Sequence, residues 1–210
     1  ILGFNKITII MQKEKIAQGA EAVLYKEDNK IIKERIVKKY RIVELDTNLR
    51  RERTRLEARI LRKLARAGIP VPAVLKVDEE RAVLEIEFID GKKLRDYLLD
   101  TKDYQILAQV GKIVAQMHSQ NICHGDLTTS NMILKENTIY LIDFGLAIHS
   151  TRIEDKAVDL HLFKECLKSK HFEIWETAWK TFLANYEHKD VIERLKVVER
   201  RGRYKEKAPI

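Results

Sequence analysis

The 210-residue chain has only two cysteines, three prolines and eight glycines, and no long uncharged apolar run. Each scarcity excludes a class. Cys123 and Cys166 are too few for a disulfide scaffold and lack the paired C-x-x-C spacing of a zinc site. That usage fits a reduced, cytoplasmic setting. The low Gly and Pro content excludes collagen-like and low-complexity chains. No apolar stretch approaches the roughly 18 residues that span a bilayer, so the sequence predicts no membrane crossing. What remains is 45% hydrophobic and 34% charged residues, enough for a core under a solvated surface. Basic side chains outnumber acidic ones, 40 to 32, for a net charge of +8. The excess is clustered at Arg50, Arg51, Arg53, Arg55 and Arg59, and again at Arg194, Lys196, Arg200, Arg201, Arg203, Lys205 and Lys207. Such clusters serve either as a solubilising face or as a grip on a phosphate-rich macromolecule.

The length suits one domain or two small lobes sharing a cleft. Residues 1–12 read as a linker or N-terminal extension with no cleavable signal pattern. From 14 to 35, short apolar runs separated by a Gly-containing turn and the polar EDNK turn predict three strands. A long helix follows from about Asp46 to Ala67, with Leu49, Leu56, Ile60 and Leu64 on one stripe and Gly68 just past its end. Strands are predicted at 73–78 and 81–88. The remainder is mainly helical: 104–119, with a stripe through Ile106, Val110, Ile113 and Met117, then 155–168, 172–186 and 189–199. The stripe Trp175, Ala178, Trp179, Phe182, Leu183 and Tyr186 has the spacing of core, not of a ligand box. Short strands are expected at MILK (132–135) and IYLID, and residues 200–210 read as an exposed basic tail.

The chemistry concentrates in HGDLTTSN at 124–131 and IDFG at 142–145. Phosphoryl transfer needs divalent metal held by hard oxygen ligands and a carboxylate that orients the incoming hydroxyl or water. Asp126, Asn131 and Asp143 supply those parts. An Asp and an Asn on one loop are usually turn chemistry alone, so the weight lies in the ordered set. Upstream, Lys33 stands in the third predicted strand, where a cation can reach phosphates. Glu57 falls on the edge of the long helix's apolar stripe, where it needs a cationic partner, and Lys33 is the obvious one.

The order Gly-loop, strand Lys, helix Glu, HGD-x4-N and DFG resembles the protein-kinase-like fold over residues 14–186. That resemblance implies an α+β, bilobal architecture. Its N-lobe, 13–89, would hold a five-stranded antiparallel sheet and one long helix, and its reduced C-lobe, 90–199, would be mainly helical. It implies Asp126 as the catalytic-loop Asp, Asn131 and Asp143 as metal ligands, and Lys33, held by Glu57, as the phosphate-binding lysine. Ile16, Leu24 and Ile31 would line the adenine roof and Ile133 its floor, with Glu87 to Ile89 as hinge and Gly19, Ala20 and Glu21 as the phosphate loop. Asp159 resembles the Asp that braces the catalytic loop, and His124 would brace the same backbone. Cys123 reads as small apolar filler.

Four departures narrow the family. Only Gly19 remains of the usual three loop glycines, with Ala17 and Ala22 in place of the others. HRD is replaced by HGD, no APE segment follows DFG, and Thr128 stands where many protein kinases carry Lys. Together with QGAEA, K-x-R-x-x-K-x-Y-R (Lys33 to Arg41), Leu45-Asp46, RTRLEAR (Arg53 to Arg59) and a terminal RRGR, the chain resembles the small atypical kinase subunit of the KEOPS complex in its archaeal form. The family implies an ATP- and Mg2+-dependent phosphotransferase, with Mn2+ as a substitute ion, acting mainly as an ATPase. It would support threonylcarbamoyl-adenosine synthesis on tRNA beside the catalytic threonylcarbamoyltransferase subunit and a further small subunit. Autophosphorylation and Ser/Thr kinase activity are also implied, as is tRNA contact through Arg200, Arg201, Arg203 and Lys205. Two readings compete. An aminoglycoside-type phosphotransferase would need a larger, acid-lined helical lobe. A non-enzymatic scaffold would have lost some of Lys33, Glu57, Asp126, Asn131 and Asp143, yet all are present. A RIO-type kinase is disfavoured by QGAEA and RTRLEAR.

Overall fold

Asp28 takes a left-handed φ of 51° in the turn that joins β2 (Ala22–Glu27) to β3 (Lys30–Arg35), so the polar EDNK string closes a tight hairpin. With β1 (Glu14–Gln18), β4 (Val74–Asp78) and β5 (Val83–Glu87) these strands form one antiparallel sheet, in the order β1-β2-β3-β5-β4. The computed structural model describes residues 13–205. The extension expected over 1–12 and the last five residues of the basic tail lie outside them. Two compact units are present: the chain up to Arg55 with Val74–Phe88, and Leu56–Ala73 with everything from Ile89 onward.

In the first unit, register fixes which side chains share a face. Leu24 lies opposite Lys33, and Lys33 opposite Leu84; Ile31 is opposite Lys26 and Ile86 on the same side of the pleat. A bulge falls between Lys15 and Ala17, and Ile16, at that irregularity, is 43% exposed. Helix α1 (Val43–Arg66) starts three residues earlier than its polar pattern suggests, because the Ile42 carbonyl already accepts the Asp46 N–H at 2.9 Å. It ends as expected. Gly68 has φ 74°, its N–H reaches Ala65 O at 3.0 Å and the Ile69 N–H reaches Leu64 O at 3.1 Å, the paired bonds of a Schellman motif. The helix's second half groups with the other unit.

The second unit holds α2 (Leu94–Thr101), α3 (Leu107–Ser119), α4 (Ile153–Lys170), α5 (Trp175–Ala184) and α6 (Lys189–Lys205). Two small antiparallel pairings complete it. One is β6 (Lys92–Lys93), β8 (Met132–Lys135) and β9 (Thr138–Leu141); the other pairs β7 (Ile122–Cys123) with β10 (Ile148–His149). Helix α2 has no counterpart in the sequence reading. Gly111 lets α3 approach α5 closely, since a Cβ there would lie 2.4 Å from Phe182 O. The aromatic stripe is core: Trp179, Phe182 and Tyr186 are buried, and Phe182 stacks on Trp179 at 5.3 Å. Trp175 alone of that stripe's rings stays at the surface, with Lys168 over it at 5.5 Å. Each buried Phe or Leu of this core contributes about 1.5–3 kcal/mol.

Helix α6 runs through Lys205, six residues beyond the predicted end. Arg194 and Arg201 both pair with Glu154 in the first turn of α4, Arg201 at 2.7 Å, which fastens the segment read from sequence as a free tail.

Candidate functional site

The loop between β7 and β8 is held from three directions. Asp159 in α4, 2% exposed, accepts the backbone N–H groups of His124 and of Gly125, the latter at 2.8 Å. His124 donates from Nε2 to Ile142 O at 3.0 Å, which leaves Nδ1 to accept the Asp126 N–H at 3.3 Å. Asn131 O accepts the Ile142 N–H at 3.0 Å. Ile142 is thus bonded through both its peptide groups to the loop, and Asp143 follows it directly with a left-handed φ of 61°. Phe144 is 1% exposed and packs on the His124 ring at 4.7 Å. Asn131 donates its amide to Asp126 O and to Asp126 Oδ2, both at 2.9 Å, so its Oδ1 is turned to other use. Asp126 and Asp143 are exposed carboxylates. Two carboxylates and an amide oxygen, two of the three on the braced loop and Asp143 on the segment after β9 that is bonded to it, suit a hard divalent cation.

Four supporting residues, Gly125, His118, Thr129 and His171, were given no site role in the sequence reading. Gly125 has φ 79°, and a Cβ there would lie 2.3 Å from Leu146 O. The fold therefore excludes a side chain at the middle position of HGD, and the missing Arg of HRD is a steric consequence. Gly125→Ala is expected to lower the melting temperature by several degrees, through strain of about 1 kcal/mol from φ plus the collision. Thermal unfolding checks it. His118 sits under the loop with no exposure, Nε2 at 3.3 Å from Asp159 Oδ2 and Nδ1 at 2.7 Å from the Tyr186 hydroxyl. Thr129, fully buried, bonds His171 Nε2 at 2.9 Å. His118 and His171 follow the helical patterns around them, and only their burial marks them.

Burial holds both imidazoles below the usual histidine range, for His118 against the pull of Asp159, and so keeps them neutral. The unfolded chain takes up these protons near its ordinary value of 6.5. Their contribution is present above that pH and is lost as pH falls through it toward the lowered folded values. Stability should decline from pH 7.5 to 5.5, and His118→Gln should flatten that slope, as urea unfolding across the range will report. Cys123, beside this network, is a thiol pushed up to about 12 by burial and by Asp159. It is inert filler.

The remaining expected residues are divided between the two units. Lys33 is 7% exposed in β3, sharing its face with Leu24 and Ile31. Glu57, 2% exposed, belongs to the part of α1 that groups with the second unit, and neither ion is free. The loop at Gly19–Glu21 closes through Gly19 N–H to Ala22 O at 2.9 Å. Lys38 bonds Ala20 O, and Arg53 pairs with Glu21 at 2.5 Å. Side-chain tethers thus fix the turn. Glu87 ends β5, and the chain passes between units at Phe88–Ile89, with Ile89 buried and Ile133 half-buried in β8.

The model of the Lipopolysaccharide kinase (Kdo/WaaP) family matches residues 12–186. The KEOPS complex subunit Bud32 of Pyrococcus abyssi is 39% identical, the match covering 92% of this chain and 97% of that protein. The chain belongs to the Bud32 family. A "Probable serine/threonine-protein kinase BUD32 homolog" from Archaeoglobus fulgidus is 41% identical, with the same two coverages. In Methanosarcina acetivorans a "Probable bifunctional tRNA threonylcarbamoyladenosine biosynthesis protein" is 38% identical, and the matched part is 36% of its length. Among solved structures, the Rio2 kinase-ADP/Mg2+-phosphoaspartate complex from Chaetomium thermophilum aligns with a TM-score of 0.60 at 14% identity, over 93% of this chain and 72% of that one. That likeness establishes the protein-kinase-like α+β fold for this Bud32 family member.

Proposed function

We propose that the chain is an atypical kinase and ATPase that passes the terminal phosphoryl group of ATP to water or to a protein hydroxyl, and that it works within the KEOPS assembly in threonylcarbamoyl-adenosine modification of tRNA. The observation that carries the chemistry is the braced loop, in which Asp126 and Asn131 are bonded to each other and Asp143 is stitched beside them. Asp126 accepts the proton of the attacking hydroxyl or water as its oxygen bonds to phosphorus and the bond to the departing ADP breaks. Asn131 and Asp143 would hold Mg2+, which when bound neutralises charge on the phosphates. Lys33 is assigned to those phosphates. His124 and Asp159 keep the loop in place. The bifunctional relative and the KEOPS name of the Pyrococcus abyssi protein support the assembly and the tRNA role.

Water is the favoured acceptor because α4 begins only ten residues after Asp143, leaving little chain for a peptide platform. The test is ATP hydrolysis measured alone, with the catalytic threonylcarbamoyltransferase subunit, and with that subunit plus tRNA. Mg2+-dependent turnover that rises with both additions is expected; turnover indifferent to subunit and tRNA would remove the KEOPS role. Because Arg201 is committed to Glu154, contact with tRNA is assigned to the end of the basic segment. Arg203→Ala with Lys205→Ala should reduce the tRNA-stimulated rate and spare the basal one.

A further inference from the structure

Thr129 is a costly residue for its place. It lies on the loop between Asp126 and Asn131, opens the short 3-10 turn Thr129–Asn131, and has no exposure. Valine would fill the same volume without burying a hydroxyl. A buried polar pair adds little net stability, and losing either partner strands the other. His171, only 4% exposed, faces Thr129 with Nε2 at 2.9 Å from Oγ1. Two polar side chains therefore occupy core where two apolar ones would serve, and they meet at the middle of the loop that carries the site.

The other ring nitrogen fixes the direction of the bond. Nδ1 is buried and has no hydrogen-bond partner among the described residues. Burial, with positive charge from Lys102 and Arg95, keeps the ring neutral, so one nitrogen carries the only proton. On Nδ1 that proton would make a buried donor with no acceptor. It sits on Nε2 instead, and His171 donates to Thr129 Oγ1. The Thr129 hydroxyl proton is then left for Cys166 Sγ, 3.6 Å away. The imidazole is itself anchored. His171 ends α4, its N–H reaching Leu167 O at 2.8 Å and its carbonyl accepting the Ile174 N–H at 3.0 Å. Helix α4 thus grips the loop twice, through Asp159 on His124 and Gly125 and through His171 on Thr129.

We propose that His171 is a positioning residue for phosphoryl transfer, acting through Thr129 to set where Asn131 meets Mg2+. The inference deepens the kinase and ATPase reading above and rests on it. Thr129 and Asn131 share one turn, in which the Asn131 N–H reaches Thr128 O at 3.1 Å, so a shift of Thr129 is passed to Asn131. The Asn131 amide in turn holds Asp126, which leaves Oδ1 for the ion. Groups that orient a metal ligand from behind are worth about 10- to 100-fold in metal affinity.

The experiment compares the full wild-type chain with Thr129→Val, Thr129→Ser and the double variant Thr129→Val/His171→Leu. Mg2+ is titrated by calorimetry into each protein bound to a non-hydrolysable ATP analogue. Thermal unfolding and backbone hydrogen exchange over 124–131 are followed in the metal-free protein. The double variant should melt within a few degrees of wild type, because both polar groups leave together. Its Mg2+ affinity should fall about 10-fold or more, and exchange over the loop should quicken, while metal-free nucleotide affinity holds. Thr129→Val alone should lose Mg2+ affinity and also melt lower, since His171 Nε2 then donates to nothing. Thr129→Ser keeps the hydroxyl and should keep the Mg2+ affinity. A double variant that binds Mg2+ as wild type does refutes the positioning role. One that melts far below wild type assigns the pair to stability and refutes it too, as does loss of Mg2+ affinity in Thr129→Ser. If wild type binds the nucleotide with no gain from Mg2+, the ATPase reading itself fails and this inference with it.

Discussion

Asp159→Ala should unfold the second unit far more easily than any surface substitution, lowering stability by on the order of 3 kcal/mol or more. The carboxylate accepts two backbone N–H groups, from His124 and Gly125, and faces His118 Nε2. Its removal leaves one buried and one part-buried donor without an acceptor, the buried one costing about 1–3 kcal/mol. For a chain of this size a loss of about 3 kcal/mol is a fall of roughly 6–12 °C in melting temperature. Asp159→Asn should cost nearly as much, since its amide nitrogen would face one of the donors. Turnover should fall in both variants because Asp126 follows the two residues that Asp159 pins. Calorimetric unfolding within about 2 °C of wild type would show that His124 and Gly125 are held by other means.

Asp126→Asn should do the opposite: little to stability and much to chemistry. Asp126 is exposed, and an Asn there can still accept from the Asn131 amide, so the loop keeps its geometry. What is lost is a base for the attacking hydroxyl, worth about 100- to 10,000-fold in rate. Steady-state ATP hydrolysis at saturating ATP and Mg2+ reads this directly. A rate within threefold of wild type would assign proton removal elsewhere.

Much of this architecture is legible in the sequence, for identifiable reasons. The long helix and its Gly68 stop follow from a sustained apolar stripe ended by a residue free to take positive φ. The pleat puts Leu24, Ile31 and Lys33 on one face, and register alone explains that grouping. The segments carrying Asp126, Asn131 and Asp143 declare themselves because polar residues interrupt apolar runs. Other features stay hidden because their causes are tertiary. Helix α2 is only eight residues long, too short for its Leu94 and Leu98 spacing to announce it. The end of α6 is fixed by a carboxylate forty residues and more upstream, Glu154. Asp46, expected to start a helix, is its fourth residue and the buried anchor of the segment before it. Ile16, expected over the nucleotide, lies at the bulge in β1 and is 43% exposed. Gly125 shows how a motif difference can be misread. From sequence, HGD is only a departure from HRD; in the fold, the Leu146 carbonyl occupies the space any side chain would need.

The central claim is that this chain binds magnesium-bound ATP and that Lys33 and Asp143 each contribute to that binding. The most direct measurement is calorimetric affinity for a non-hydrolysable ATP analogue, with and without Mg2+, in wild type, Asp143→Asn and Lys33→Ala. Wild type should bind at least tenfold more tightly with Mg2+, about 1.4 kcal/mol. Asp143→Asn should abolish that increment while keeping the metal-free affinity, and Lys33→Ala should weaken binding in both conditions. Equal affinities across the three proteins, with no response to Mg2+, would contradict the claim.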